Sequence, residues 1–290
     1  MTPPHPPRAA ESRRQRVPVR TAQVAAVTTA GAPRELQQHD LDPSAARAVV
    51  DSAGVRRGHV ILEVGAGRGA LTALLLAKDA VVHVIEKDPA RCQLLSERFR
   101  SEMADGQLVL HAGDATSVGP QFTGIWRALA NPPFNLTANL IRSWLLEPPG
   151  AQPEAIDLVL QYEAARKLCG RDGMHTHSSV ITRLTGKPWI SLPLRRSDVV
   201  PPSRVDLCLW SWRKLNSSPP PEELRAIDRL LAVGFAGPHT VAEALRGVAT
   251  GIQLRRQAAE HGWRVDMHPR ELKPVAWRSL ATLLVMCKKI

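Results

Sequence analysis

Apolar residues fall into two regimes along this chain. Up to about residue 212 they come mainly as short runs broken by glycine-rich and polar turns, whereas beyond residue 221 they recur at helical spacing. In the first regime Ala46, Val49, Val50 and Ala53 share one face of a helix predicted over Pro43 to Ala53, which Gly54 and Gly58 end. The runs at 59–64, 80–85, 108–111, 125–130 and 155–160 are predicted as buried strands, with a helix over 70–77 between the first two. Two late strands are predicted at 189–194 and 205–212, with Pro201 and Pro202 between them. That interval has no room for a crossover helix, so the two pair as an antiparallel hairpin at the sheet edge. The expectation is an α/β fold: a Rossmann-like, doubly wound sheet of seven mostly parallel strands with one antiparallel edge hairpin.

The second regime begins after a linker at 216–221, which includes Ser217, Ser218, Pro219, Pro220 and Pro221. Leu224, Ile227, Leu230 and Leu231 form the stripe of a first helix. Thr240 and Glu243 make a capping box for a second, expected to end near Gly251. A third is expected over 253–260, and Pro274 opens a fourth that ends at Lys288 and Lys289. The domains expected are therefore a basic arm at 1–33, an α/β domain at 34–215 and a small helical domain at 222–290. Arg246, Arg255, Arg256 and Arg264 offer that last domain phosphate partners or a merely solvated face.

The formal net charge of +11 directs attention to a polyanionic partner, nucleic acid first. Part of it sits in the arm, where Pro3, Pro4, Pro6 and Pro7 precede Arg13, Arg14, Arg16 and Arg20 with one acid, Glu11. Such an arm is read as disordered, either folding on RNA or keeping the chain in solution. Cys92, Cys169, Cys208 and Cys287 are scattered without Cys-x-x-Cys spacing, which suits a reducing cytoplasm and suggests no metal. No apolar run reaches the roughly 20 residues of a membrane span, and no apolar segment follows the N-terminal arginines as in a secretory signal. A cytoplasmic monomer without a stable protein partner is expected.

Candidate chemistry gathers at the strand tips. The first buried strand feeds Glu63-Val64-Gly65-Ala66-Gly67-Arg68-Gly69, a loop whose glycines let backbone approach a ligand. Its Gly-x-Gly-x-Gly spacing is not the dinucleotide fingerprint, so a pyrophosphate is not the obvious ligand. Glu86, at the next tip, can accept both hydroxyls of a ribose or cap the turn at Lys87-Asp88-Pro89. Asp114, after Gly113, can accept from an adenine amino group or serve as a turn residue. The fourth tip is Asn131-Pro132-Pro133-Phe134, where an amide acceptor, proline carbonyls and a flat ring suit a planar amine. Ligands of open α/β sheets sit beyond the carboxyl ends of the strands, so Gly65, Glu86, Asp114 and Asn131 should converge.

With these residues the chain resembles the Erm and KsgA group of rRNA adenine N6-methyltransferases from about Glu35 to the C-terminus, most strongly the Erm type. The resemblance implies a class I methyltransferase sheet, S-adenosyl-L-methionine as cofactor and 23S rRNA as partner, with macrolide, lincosamide and streptogramin B resistance as the outcome. It implies cofactor contacts from Gln38, His39, Leu41, Glu63, Gly65, Gly67, Gly69, Glu86, Lys87, Asp114, Ala115 and Asn131. Asn131, Pro132 and Phe134 would hold the target adenine. Gln161 and Glu163 match a Gln-x-Glu pair of the group, and Leu272 and Trp277 match its helical tail. Two positions depart: Asp40 stands where an aromatic is usual, and Val199 where a phenylalanine packs beside the target base. Asn-Pro-Pro-Phe is also close to the Asn-Pro-Pro-Tyr of DNA-adenine and protein-glutamine methylases. Other planar amines in 16S rRNA, DNA or protein therefore stay open as acceptors, as does a non-catalytic rRNA-binding assembly factor.

Overall fold

The computed structural model describes residues 39–117, 122, 124–133, 135–147, 151–237 and 239–290. The arm at 1–33, Gln38 and Phe134 lie outside them. The first half contains β1 (Asp40–Leu41), α1 (Pro43–Ala53), β2 (Val60–Val64), α2 (Ala70–Ala77), β3 (Val81–Glu86), α3 (Pro89–Arg98), α4 (Arg100–Ala104), β4 (Leu108–Ala112) and β5 (Arg127–Ala130). There follow α5 (Thr137–Leu146), β6 (Ala155–Gln161), α6 (Tyr162–Cys169), α7 (His177–Thr185), β7 (Gly186–Leu194), β8 (Val199–Val200) and β9 (Leu207–Lys214). The tail is α8 (Pro221–Gly234), α9 (Val241–Ala244), α10 (Gly251–His261) and α11 (Pro274–Met286).

Seven strands form one sheet in the order β4-β3-β2-β5-β6-β9-β7, and β1 pairs with β8 separately. Within the large sheet β9 alone runs against its neighbours, inserted between β6 and the edge strand β7. Its continuous apolar run fits that place, since Cys208, Leu209, Trp210 and Trp212 are buried on both faces. Alternation along the parallel strands divides the core in two. Ile61, Val82, Leu129 and Val159 pack with α1 and α2 on one face, while Leu62, Ile85, Ala130 and Leu158 pack with α5 and α7 on the other.

The second cluster runs on without a break into the tail, taking in Leu224, Ile227, Leu230, Trp277 and Leu280. An ion cluster latches the same seam. Asp228 of α8 accepts from Arg142 Nε at 2.8 Å, pairs with a second Arg142 nitrogen, and lies 2.8 Å from His177 Nε2. Burial alone would raise the Asp228 carboxyl, but hydrogen bonds from His177 and Arg142 outweigh it and hold the group low.

The tail's second helix is shorter than its capping box suggests. It stops at Ala244, because Gly247 turns into the left-handed region (φ +88°) and Thr250 caps a new helix through the Gln253 amide. One continuous helix to Gly251 is thereby replaced by α9, a turn and α10.

Candidate active site

The site is built where β2, β3 and β5 end side by side. β2 delivers Glu63 and then the loop, in which Gly65, Gly67 and Gly69 all take positive φ, between +60° and +80°. Gly65 N–H donates to the Ile85 carbonyl at 2.8 Å, tying the loop to β3. A Cβ on Gly65 would stand 3.5 Å from the Pro133 ring, so the loop lies directly against the Asn-Pro-Pro segment. β5 ends at Ala130 and presents Asn131, whose Nδ2 donates to the His39 carbonyl at 2.6 Å. That bond orients the amide, because only the NH2 end can meet a carbonyl, and it turns Oδ1 into the available acceptor.

Above the loop the β1–β8 ribbon makes a clasp, with Leu41 opposite the buried Val199. Asp42 N–H donates to the Asp198 carbonyl at 2.9 Å, and His39 Nδ1 donates to the Pro201 carbonyl at 2.6 Å. His39, Leu41, Glu63, Gly65, Asn131 and Pro132, all candidates from the sequence, line one narrow cleft of about 40 Å³. Asp40, Ala66 and Arg91 line it too. Sequence reasoning left those three out of the site. Arg91 had a signal, since it lies in the first turn of the helix that follows the β3 tip, where ligands of such sheets collect.

Glu63 forms the floor. It is almost fully buried, and its carboxyl accepts from Thr72 Oγ1 at 2.7 Å. Burial pushes its pKa up to about 8; the Thr72 hydrogen bond works against that rise and the neighbouring Glu86 adds to it. The group is therefore protonated at neutral pH.

The remaining candidates lie outside this cleft. Glu86 sits at the β3 tip but faces the backbone, accepting from the amides of Gly67 (3.1 Å), Lys87 (2.9 Å) and Asp88 (3.0 Å). Asp114 accepts from Thr116 N and Oγ1 and pairs with Lys87 Nζ at 2.8 Å. The Lys87 hydrogen bond, followed by the two from Thr116, holds its carboxyl down at about 2. Ala115 falls in the same turn. Gly69 faces away, since a Cβ there would meet the Phe99 ring at 2.6 Å. Its lack of a side chain serves the packing of α2 against Phe99.

A seven-stranded sheet in this order, with a glycine loop after β2 and an Asn-Pro-Pro tip on β5, is the architecture of a Rossmann-like methyltransferase. Residues 35–194 match the family model described as ribosomal RNA adenine dimethylase, and the chain belongs to that family. Among curated relatives, ribosomal RNA small subunit methyltransferase A of Rubrobacter xylanophilus is 30% identical over 77% of this chain and 89% of its own length. A Prochlorococcus marinus protein of the same name is 30% identical over 86% of this chain and 92% of its own. Two solved structures share the fold. The 23S rRNA methyltransferase ErmE superposes with a TM-score of 0.65 at 21% identity, over 85% of this chain and 99% of its own. A dimethyladenosine transferase from Plasmodium falciparum does so with 0.66 at 20% identity, over 87% of this chain and 98% of its own.

Members of the family depend on S-adenosyl-L-methionine. The donor set fits such a molecule: side-chain-free backbone at Gly65 and Gly67, an amide oriented by its bond to the His39 carbonyl, and charged groups of both signs. Among the described residues no helix is long and apolar enough to cross a membrane.

Proposed function

We propose that this chain transfers a methyl group from S-adenosyl-L-methionine to the exocyclic N6 of an adenine in 23S rRNA, in the peptidyl-transferase loop, and so confers macrolide, lincosamide and streptogramin B resistance. The observation that carries the methyl-transfer reading is the Asn131 amide, oriented by its Nδ2 bond to the His39 carbonyl, in a segment whose Pro133 ring lies against the glycine loop. When bound, the cofactor supplies an electrophilic methyl. The protein's part is to hold the amine. Asn131 Oδ1 and the Pro132 carbonyl accept the two amino hydrogens, which draws the nitrogen toward a pyramidal geometry with its lone pair exposed. No strong base is required, because the nitrogen becomes acidic once methylated. Alignment of this kind supplies on the order of 7–11 kcal/mol in favourable cases. Phe134 is proposed to stack on the base, Glu86 to take the ribose and Asp114 the adenine amino group, the last after its Lys87 pair opens.

The 23S acceptor rests on the sequence resemblance to the Erm type. A 16S acceptor is favoured by the relatives of 30% identity that carry the small-subunit name. Either reaction takes place in the cytoplasm, and the helical tail at 222–290 is proposed as an RNA-binding domain. Replacing Asn131 by alanine is expected to abolish transfer, measured with labelled S-adenosylmethionine under saturating cofactor. Retained turnover in Asn131→Ala sinks the assignment.

A further inference from the structure

Two side chains of opposite charge, from distant parts of the chain, reach one point above the glycine loop. A Cβ built on Gly67 would lie 2.7 Å from Asp40 Oδ1 and 3.3 Å from a guanidinium nitrogen of Arg91. Asp40 arrives from β1 and Arg91 from the first turn of α3. Each has a loose partner of its own: Arg68 stands 4.0 Å from Asp40, and Asp88 stands 3.8 Å from Arg91. Distances at the outer limit of an ion pair leave most of either charge available.

Both residues line the cleft that holds Gly65 and Asn131. Gly67, at φ +60° and without a Cβ, keeps the gap between them open. The Arg91 side chain is only 26% exposed and that of Asp40 36%. Water therefore screens them less than it screens a surface pair. A ligand complementary to this gap carries a cation and an anion a few ångströms apart. The amino-acid end of the methyl donor is such a group, with an ammonium and a carboxylate on one carbon.

We propose that Asp40 and Arg91 form a clamp for the zwitterionic amino-acid end of the cofactor, Asp40 taking the ammonium and Arg91 the carboxylate. The clamp rests on reading the cleft as the cofactor site. It makes Asp40, which stands where the Erm and KsgA group usually has an aromatic, a determinant of cofactor selectivity in this chain. Discrimination then falls on the amino-acid end as well as on the adenosine.

The test is calorimetric titration of the full chain and of Asp40→Asn and Arg91→Gln with three ligands. S-adenosylmethionine and S-adenosylhomocysteine both carry the amino-acid end, whereas 5′-methylthioadenosine keeps the adenosine and sulfur without it. Each substitution is expected to weaken the first two ligands alike, by about tenfold, and to leave the third within about twofold. Unchanged affinity for S-adenosylmethionine in both variants overturns the clamp. So does an equal loss for all three ligands, which marks a general collapse of the clasp. A loss in Asp40→Asn confined to S-adenosylmethionine places that carboxylate at the sulfonium and overturns the ammonium assignment. Wild type that binds none of the three overturns the cofactor reading itself, an outcome distinct from binding that the two variants leave untouched.

Discussion

Replacing Glu63 by glutamine isolates the energetic consequence of a buried acid beneath the cleft. The carboxyl has an ordinary value of 4.5 and a folded value of about 8, raised first by burial and further by Glu86, against the lowering effect of Thr72. The folded state thus keeps a proton that the unfolded chain releases. The sign follows from linkage: the stability tied to this proton is complete below the ordinary value and is lost as pH climbs toward the folded one. Between about pH 5 and about pH 7.5 the loss approaches about 3 kcal/mol, at roughly 1.4 kcal/mol per unit. Glutamine has nearly the shape of the protonated acid, offers an oxygen to Thr72 Oγ1 and does not titrate. Urea unfolding of both proteins across this range, read as the difference between them, cancels the other titrating groups. Glu63→Gln is expected to match wild type near pH 5 and to exceed it by about 3 kcal/mol near pH 7.5. A difference that stays constant across the range refutes the buried, protonated floor.

Asp228→Asn breaks the latch between the tail and α5, leaving Arg142 and His177 without their shared carboxylate. A loss of about 2 kcal/mol in urea unfolding at neutral pH is expected. Because the Asp228 carboxyl is held below its ordinary 3.8, its contribution persists above that value and fades as pH falls through the lowered one. Gly69→Ala meets both a φ of +80° and the Phe99 ring at 2.6 Å, and about 2–3 kcal/mol is expected to be lost by thermal or urea melting. Phe99→Leu in the same chain should recover part of that loss; strict additivity of the two changes argues against the contact. Lys87→Met frees Asp114 from its 2.8 Å partner and should raise the Asp114 pKa from about 2, a shift readable by carboxylate NMR.

The sheet was largely legible because its strands are short apolar runs and its turns carry glycine. Helix α2 falls where the spacing places it, Ala70 to Ala77. The unbroken run through Cys208, Leu209 and Trp210 predicted a strand of an edge hairpin, and pairing with β6 on one side and β7 on the other buries it on both faces. Boundaries slipped where pairing decides them. Ile125 is apolar but lies 79% exposed outside β5, which begins only where Arg127 pairs with Ile61. The tip residues were found by type and position, but their hydrogen bonds were not. Asp114 could have faced an adenine or its own turn, and the turn and Lys87 hold it. Gly-x-Gly-x-Gly spacing does not distinguish a glycine that admits a ligand from one that admits Phe99, thirty positions along the chain. Asp40 over Gly67 is a long-range approach that no local pattern encodes. The tail was read as separate because its period changes, whereas Trp277 and Leu230 join the same core as Leu62 and Leu158.

The most direct measurement incubates the purified full chain with labelled S-adenosylmethionine and, separately, protein-free 23S rRNA, 16S rRNA and small-subunit particles. Mass analysis of the digested RNA and reverse-transcriptase mapping then locate the label. The result expected is N6-methylated adenosine at one position of the peptidyl-transferase loop of 23S rRNA, lost in Asn131→Ala. Label confined to 16S rRNA moves the acceptor to the small subunit and keeps the chemistry. Tight cofactor binding with no methylated adenine in any of the three RNAs contradicts the account.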